Sequence, residues 1–98
     1  MMDKQTFLQS LKNESPPALS PHLKALWFDA KGDWNKSHEL IQDIGDSNAA
    51  WIHAYLHRKE GDDGNAGYWY RKAGRSFPAV SADQEWEQIV KEVLSAEC

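Results

Sequence analysis

Glycine and proline residues interrupt this chain of 98 residues so often that only short helices or strands fit between them. The interruptions are Ser15-Pro16-Pro17, Gly32, Gly45, Gly61, Gly74 and Phe77-Pro78. Proline lacks an amide proton and restricts the residue before it, and glycine favours the left-handed conformation in which helices end. The chain is therefore predicted to be a series of short segments joined by tight turns.

Residues that start helices follow almost every interruption. The candidate N-caps are Ser20, Asp33, Asp46 or Ser47, Asp62 or Asp63, and Ser81. Pro21 suits the first helical position, and Gln84 completes a capping box with Ser81. We predict two helix pairs over about 20–45 and 47–74, with flanking helices over about 3–13 and 82–96.

The last segment has the clearest helical period. Its apolar residues are Trp86, Ile89, Val90, Val93 and Leu94, which form one stripe at a spacing of three and four residues. A period of two residues, typical of strands, is not evident anywhere in the sequence. We therefore predict one all-α domain of about six helices over residues 1–98.

The two central segments repeat each other at an offset of 29 residues. The offset aligns Gly32-Asp33 with Gly61-Asp62, and it aligns Gly45 with Gly74. Ser37 aligns with the small residue Ala66. Small residues at matching places let two helix axes approach closely while larger neighbours fill the grooves beside them. This pattern favours two similar antiparallel helix pairs.

The repeated segments resemble a known family. GDWNKS at 32–37 and GDDGNA at 61–66 resemble the inter-helix turn of tetratricopeptide repeats. AGYWYRKA at 66–73 resembles the second helix of Sel-type repeats, and ALWFDAKGDW and WIHAYLHRKEGD are similar to segments of small bacterial proteins. The resemblance implies a fragment of an α-α superhelix, with the first and last helices as caps, that binds a protein or peptide on its concave side.

The predicted binding face is formed by the first helix of each pair. Helical phase places Leu26 and Asp29 there, together with His22 and Ala30. Trp51, Tyr55, Arg58 and Lys59 follow from the second pair. Two cations beside aromatic rings suit an acidic or carboxylate-ended segment of a partner protein. The alternative, left open, is that Trp51 and Tyr55 only pack against a neighbouring helix.

His53 and His57 are four residues apart, with Glu60 three residues further along. One helical face would thus present two imidazoles and a carboxylate, but Ala54 replaces the glutamate of the zinc-protease motif. Structural histidines are therefore predicted, with no metal ion and no cofactor, and His53 and His57 are the candidates if a metal is bound. The alternative function is a small-ligand or metal-binding protein that uses this face.

The formal net charge is −4, which disfavours nucleic acid as a partner. Arg71, Lys72 and Arg75 form a basic cluster against this background. The simplest interpretation is compensation of a helix dipole, with ion pairs to the acidic last helix. A sharper interpretation is contact with RNA or an acidic protein.

Other function classes find little support. The sequence has no nucleophile elbow and no phosphate-binding loop, so an enzyme is not predicted. The one cysteine, Cys98, offers no internal disulfide, and no apolar run approaches the length of a membrane span. A cytoplasmic location is expected. Five tryptophans make exposed aromatic surface and a homodimer a third interpretation.

Overall fold

The computed structural model describes residues 2–97, and six α-helices occur in that range. They are α1 (Lys4–Ser10), α2 (Pro21–Ala30), α3 (Trp34–Ile41), α4 (Ser47–Lys59), α5 (Asp63–Lys72) and α6 (Ala82–Ala96). No strand is present in this part of the chain, so the predicted all-α class is confirmed. No helix within it is long and apolar enough to span a bilayer. Cys98 lies outside the described residues.

The Gly-Asp dipeptides at 32–33 and 61–62 form the same turn in both helix pairs. Both glycines have a φ of +86°. The amide of Asp33 donates to the carbonyl five residues earlier at 2.8 Å, and the amide of Asp62 does so at 2.9 Å. Each aspartate side chain then accepts from the amide three residues later. One dipeptide therefore ends one helix and caps the next.

Two helix ends differ from the sequence prediction. Helix α3 ends at Ile41, four residues before Gly45, and Gly45 is not among the glycines with positive φ. The amide of Ile44 bonds the carbonyl of Ile41 instead, which tightens the chain before the glycine is reached. Helix α1 ends at Ser10 rather than near 13, again with a tighter turn after it. Helix α6 occupies the predicted range.

The helices pack as the predicted pairs. Helix α2 packs on α3 and α4 packs on α5, while α3 also contacts α4. Helix α6 packs on α4, α2 and α1. The indole of Trp86 donates to the carbonyl of Leu26 at 3.2 Å, and Ile89, Val90 and Val93 are buried. The hydrophobic core therefore lies between α6 and the face that α2 and α4 share.

Candidate functional site

The residues predicted to form a concave binding face lie mostly inside the protein. The exposed fraction is 0% for Leu26, 4% for Asp29, 4% for Trp51 and 2% for Tyr55. Helix α6 covers this face, because it packs on both α2 and α4. The alternative interpretation, in which Trp51 and Tyr55 pack against a neighbouring helix, describes their observed surroundings.

Glu85 of α6 is fully buried and joins three side chains of the other helices. Its carboxylate accepts hydrogen bonds from the Trp51 indole at 3.0 Å, the Tyr70 hydroxyl at 2.6 Å and the Arg58 guanidinium at 2.9 Å. Burial and the neighbouring Glu85 carboxylate raise the pKa of the Tyr70 hydroxyl. Arg58 also donates to the carbonyl of Val80. We call these four side chains, Glu85, Trp51, Tyr70 and Arg58, the Glu85 network.

Asp29 forms a second buried network with Tyr55 and Lys59. Its carboxylate accepts from the Tyr55 hydroxyl at 2.8 Å and from the Lys59 ammonium at 2.9 Å. Burial raises the pKa of Tyr55, and the Asp29 charge adds to this effect. The two cations predicted to clamp an acidic segment, Arg58 and Lys59, are thus both paired with carboxylates of this chain.

A cavity of about 440 Å³ remains beside the Asp29 network. It is lined by Leu11, Asp29, Ala30, Tyr55, Lys59, Asp83, Trp86 and Glu87. Its lining carries three carboxylates and one ammonium group, so its charge opposes an acidic ligand. The acidic segment predicted from the sequence is therefore a poor fit here, because the lysine that was to hold it is neutralised by Asp29.

Three histidines from two helices meet where α3 packs on α4. One ring nitrogen from each of His38, His53 and His57 lies within 4.8 Å of the others. The Nε2 atoms of His38 and His53 are 3.0 Å apart, at hydrogen-bonding distance. His53 and His57 are buried, and His38 is half-buried. We call these three side chains the histidine cluster.

Tryptophan rings enclose the histidine cluster from two sides. The Trp34 ring stacks on His38 at a centroid distance of 4.9 Å, and the Trp69 ring stacks on His53 at 3.9 Å. The Trp34 indole also donates to the carbonyl of Leu56 at 2.7 Å, which fixes its plane. These contacts restrict the rotation of the two imidazoles that they cover.

Burial changes the protonation of the cluster. It lowers the pKa of His53 to about 4, and the adjacent His38 and His57 add to the shift. Burial likewise lowers the pKa of His38. Both imidazoles are therefore neutral at pH 7. The Nδ1 atom of the third histidine, His57, lies 2.5 Å from the Glu60 carboxylate.

Exposed aromatic and basic side chains lie on α5 and in the segment that follows it. Tyr68 and Phe77 are 46% and 45% exposed, and they are the large hydrophobic side chains exposed among residues 2–97. Arg71, Lys72 and Arg75 are exposed as well. No ion pair joins Arg71, Lys72 or Arg75 to α6 within the described chain, so the ion pairs expected between this basic cluster and the last helix do not form. We call these five residues the α5 surface.

No protein-family model, curated protein or solved structure matches the chain. The likeness to tetratricopeptide and Sel-type repeats stays a prediction from sequence.

His38 is the member of the histidine cluster that sequence reasoning left out. It lies on α3, whereas His53 and His57 lie on α4. The rotation of α3 that turns His38 towards α4 could not be predicted from the sequence. The sequence nevertheless indicated that α3 and α4 are neighbours, because helices joined through one short loop pack against each other in helical hairpins.

Proposed function

We propose that this protein is a non-catalytic binding module for an acidic segment of a partner protein, and that the α5 surface is where the partner binds. The proposal keeps the protein-binding role expected from the sequence and moves it to another face. The observation that carries it is the exposure of Tyr68 on the same side of α5 as the exposed cations Arg71 and Lys72. A cytoplasmic location belongs to the same proposal.

The cations of the α5 surface are available to a partner. No ion pair formed among residues 2–97 includes Arg71, Lys72 or Arg75, whereas Arg58 and Lys59 are both paired. Arg71 and Lys72 follow Tyr68 by three and four residues, so the three side chains share one side of α5. A carboxylate there would meet two positive charges next to an aromatic ring.

Aromatic contacts hold two of these cations in place. The Lys72 ammonium lies 5.6 Å from the centre of the Tyr68 ring and 5.5 Å from that of Trp69. The Arg75 guanidinium lies 3.4 Å from the Trp51 ring centre. Ordered cations lose less conformational entropy on binding, and a planar guanidinium matches the geometry of a carboxylate. The surface therefore suits a segment that combines aspartate or glutamate with an apolar side chain.

The test is a selection from a random peptide display library against the immobilised protein. We expect the selected peptides to be enriched in aspartate and glutamate. Binding should weaken at least about tenfold in the double variant Arg71→Glu/Lys72→Glu, because two attractive charges become repulsive. Lys91→Glu is the matched control, since Lys91 is an exposed lysine on a different helix, α6.

Three outcomes would overturn the proposal. One is a selection without acidic enrichment, and another is equal binding by the double variant and the control. The third is retardation of single-stranded RNA in a gel shift that the double variant abolishes, which would make the surface an RNA site. Sedimentation velocity tests the homodimer interpretation. A dimer formed through Tyr68 and Phe77 would also compete with peptide binding.

A further inference from the structure

We propose that His38, His53 and His57 bind one divalent transition-metal ion of the zinc class. This proposal does not rest on the α5 surface or on a partner bound there. Imidazole nitrogen is a ligand that Zn²⁺, Co²⁺ and Ni²⁺ share, and three protein ligands with an open fourth position are a common zinc arrangement.

The distances within the histidine cluster are close to those that a metal ion requires. Zinc–nitrogen bonds of about 2.0–2.1 Å in a tetrahedron place two ligand nitrogens roughly 3.3 Å apart. The Nε2 atoms of His38 and His53 are already 3.0 Å apart. The third ring nitrogen lies within 4.8 Å of both. Closing the set around an ion therefore needs a shift of no more than about 1.5 Å at His57.

The ligands stand on rigid elements. His53 and His57 are four residues apart on α4, so they project from one face of the same helix. His38 comes from α3, which packs against α4, and the rings of Trp34 and Trp69 stack on His38 and His53. An ion at this place would join α3 to α4 without a change in backbone.

Glu60 acts as a positioning residue for His57. Its carboxylate oxygen lies 2.5 Å from His57 Nδ1, so that nitrogen carries a proton and donates a hydrogen bond to Glu60. The lone pair of His57 is then on Nε2, the other ring nitrogen. A carboxylate behind a ligating histidine fixes the tautomer in this way in many metal sites. Glu60 is exposed, so it also places a negative charge at the protein surface next to His57.

An ion in the cluster would displace the hydrogen bond between His38 and His53. Two Nε2 atoms at this distance share one proton, so one ring donates and the other accepts. Binding an ion replaces this single hydrogen bond by two coordinate bonds, and the proton of the donor ring moves from Nε2 to Nδ1, so that both rings remain neutral. The competing interpretation is a pair of neutral core histidines with no metal, and it makes the opposite prediction in each measurement below.

The experiment titrates the chelator-treated full chain with Zn²⁺ by calorimetry and with Co²⁺ by visible absorption. We expect one ion per chain, a Kd at or below about 1 μM, and the strong d–d bands of tetrahedral Co²⁺. His38→Gln removes a ligand at a half-buried position and should weaken binding by more than the ~10–100-fold that outer-shell changes cause. Glu60→Gln should fall within that ~10–100-fold range.

The matched control is His22→Gln, because His22 pairs with Asp46 outside the cluster. It should bind Zn²⁺ as the wild type does. Absence of heat with Zn²⁺, octahedral Co²⁺ bands, or equal loss in His22→Gln and His38→Gln would each overturn the proposal. Should His38→Gln fail to fold, the Co²⁺ spectrum of the wild-type chain decides the matter alone.

Discussion

Glu85 is the fully buried carboxylate of α6, and its replacement by alanine tests whether the Glu85 network holds this helix on the rest of the protein. The change removes the acceptor of the Trp51 indole, the Tyr70 hydroxyl and the Arg58 guanidinium at once. Arg58 would keep its bond to the Val80 carbonyl but lose its counter-charge. We expect a large loss in the free energy of unfolding.

The size of the loss follows from these contacts. Removing one partner of a buried ion pair costs about 3–5 kcal/mol. Each neutral donor left without an acceptor costs ~1–3 kcal/mol, although such terms do not add fully within one network. The Arg58 side chain is 19% exposed, so water recovers part of the cost. We therefore expect a loss of about 3–4 kcal/mol, a large part of the ~5–15 kcal/mol typical of a small domain.

The assay is urea unfolding followed by far-ultraviolet circular dichroism and tryptophan fluorescence. Glu92→Ala is the matched control, because it removes a glutamate from the exposed side of the same helix and should change stability by no more than about 0.5 kcal/mol. Glu85→Gln keeps one acceptor oxygen and should lie between the two. If the loss in Glu85→Ala is within about 1 kcal/mol of the control, the network does not stabilise α6 as argued.

Two further outcomes follow from the turns and the buried tyrosines. Gly61→Ala forces a side chain into a φ of +86° and should lower the free energy of unfolding by about 1 kcal/mol or more. The control Gly45→Ala should change it by no more than ~0.5 kcal/mol, because Gly45 is not among the glycines with positive φ. Equal effects of the two variants in thermal melts would refute the role of the turn. Burial and adjacent carboxylates raise the pKa of Tyr55 and Tyr70 above the unfolded value of about 10. The contribution of these two tyrosines to the free energy of unfolding is therefore fully present below about pH 10 and is lost as the pH rises above it. Tyrosinate absorbance and helix loss should then appear together, and ionisation of both tyrosines in a native-like protein would contradict this.

The candidate sites show where sequence reasoning stopped short. Trp51 and Tyr55 share a helix face, and helical phase alone cannot say whether a partner or another part of the chain covers that face. Here α6 covers it, and Glu85 and Asp29 bind the cations that were expected to face a ligand. The burial of Glu85 could not be predicted, because in the sequence it lies next to the apolar stripe of α6 and resembles a solvent-facing charge.

Local interactions explain what the sequence determined by itself. The helix ends at Gly32 and Gly61 and the start of α6 at Ser81 are fixed by hydrogen bonds between residues at most five positions apart. The tertiary structure alone decided that His38 meets His53 and that Glu85 reaches Arg58. Those pairs are 15 and 27 residues apart, so they depend on how whole helices rotate against each other to bury their apolar faces.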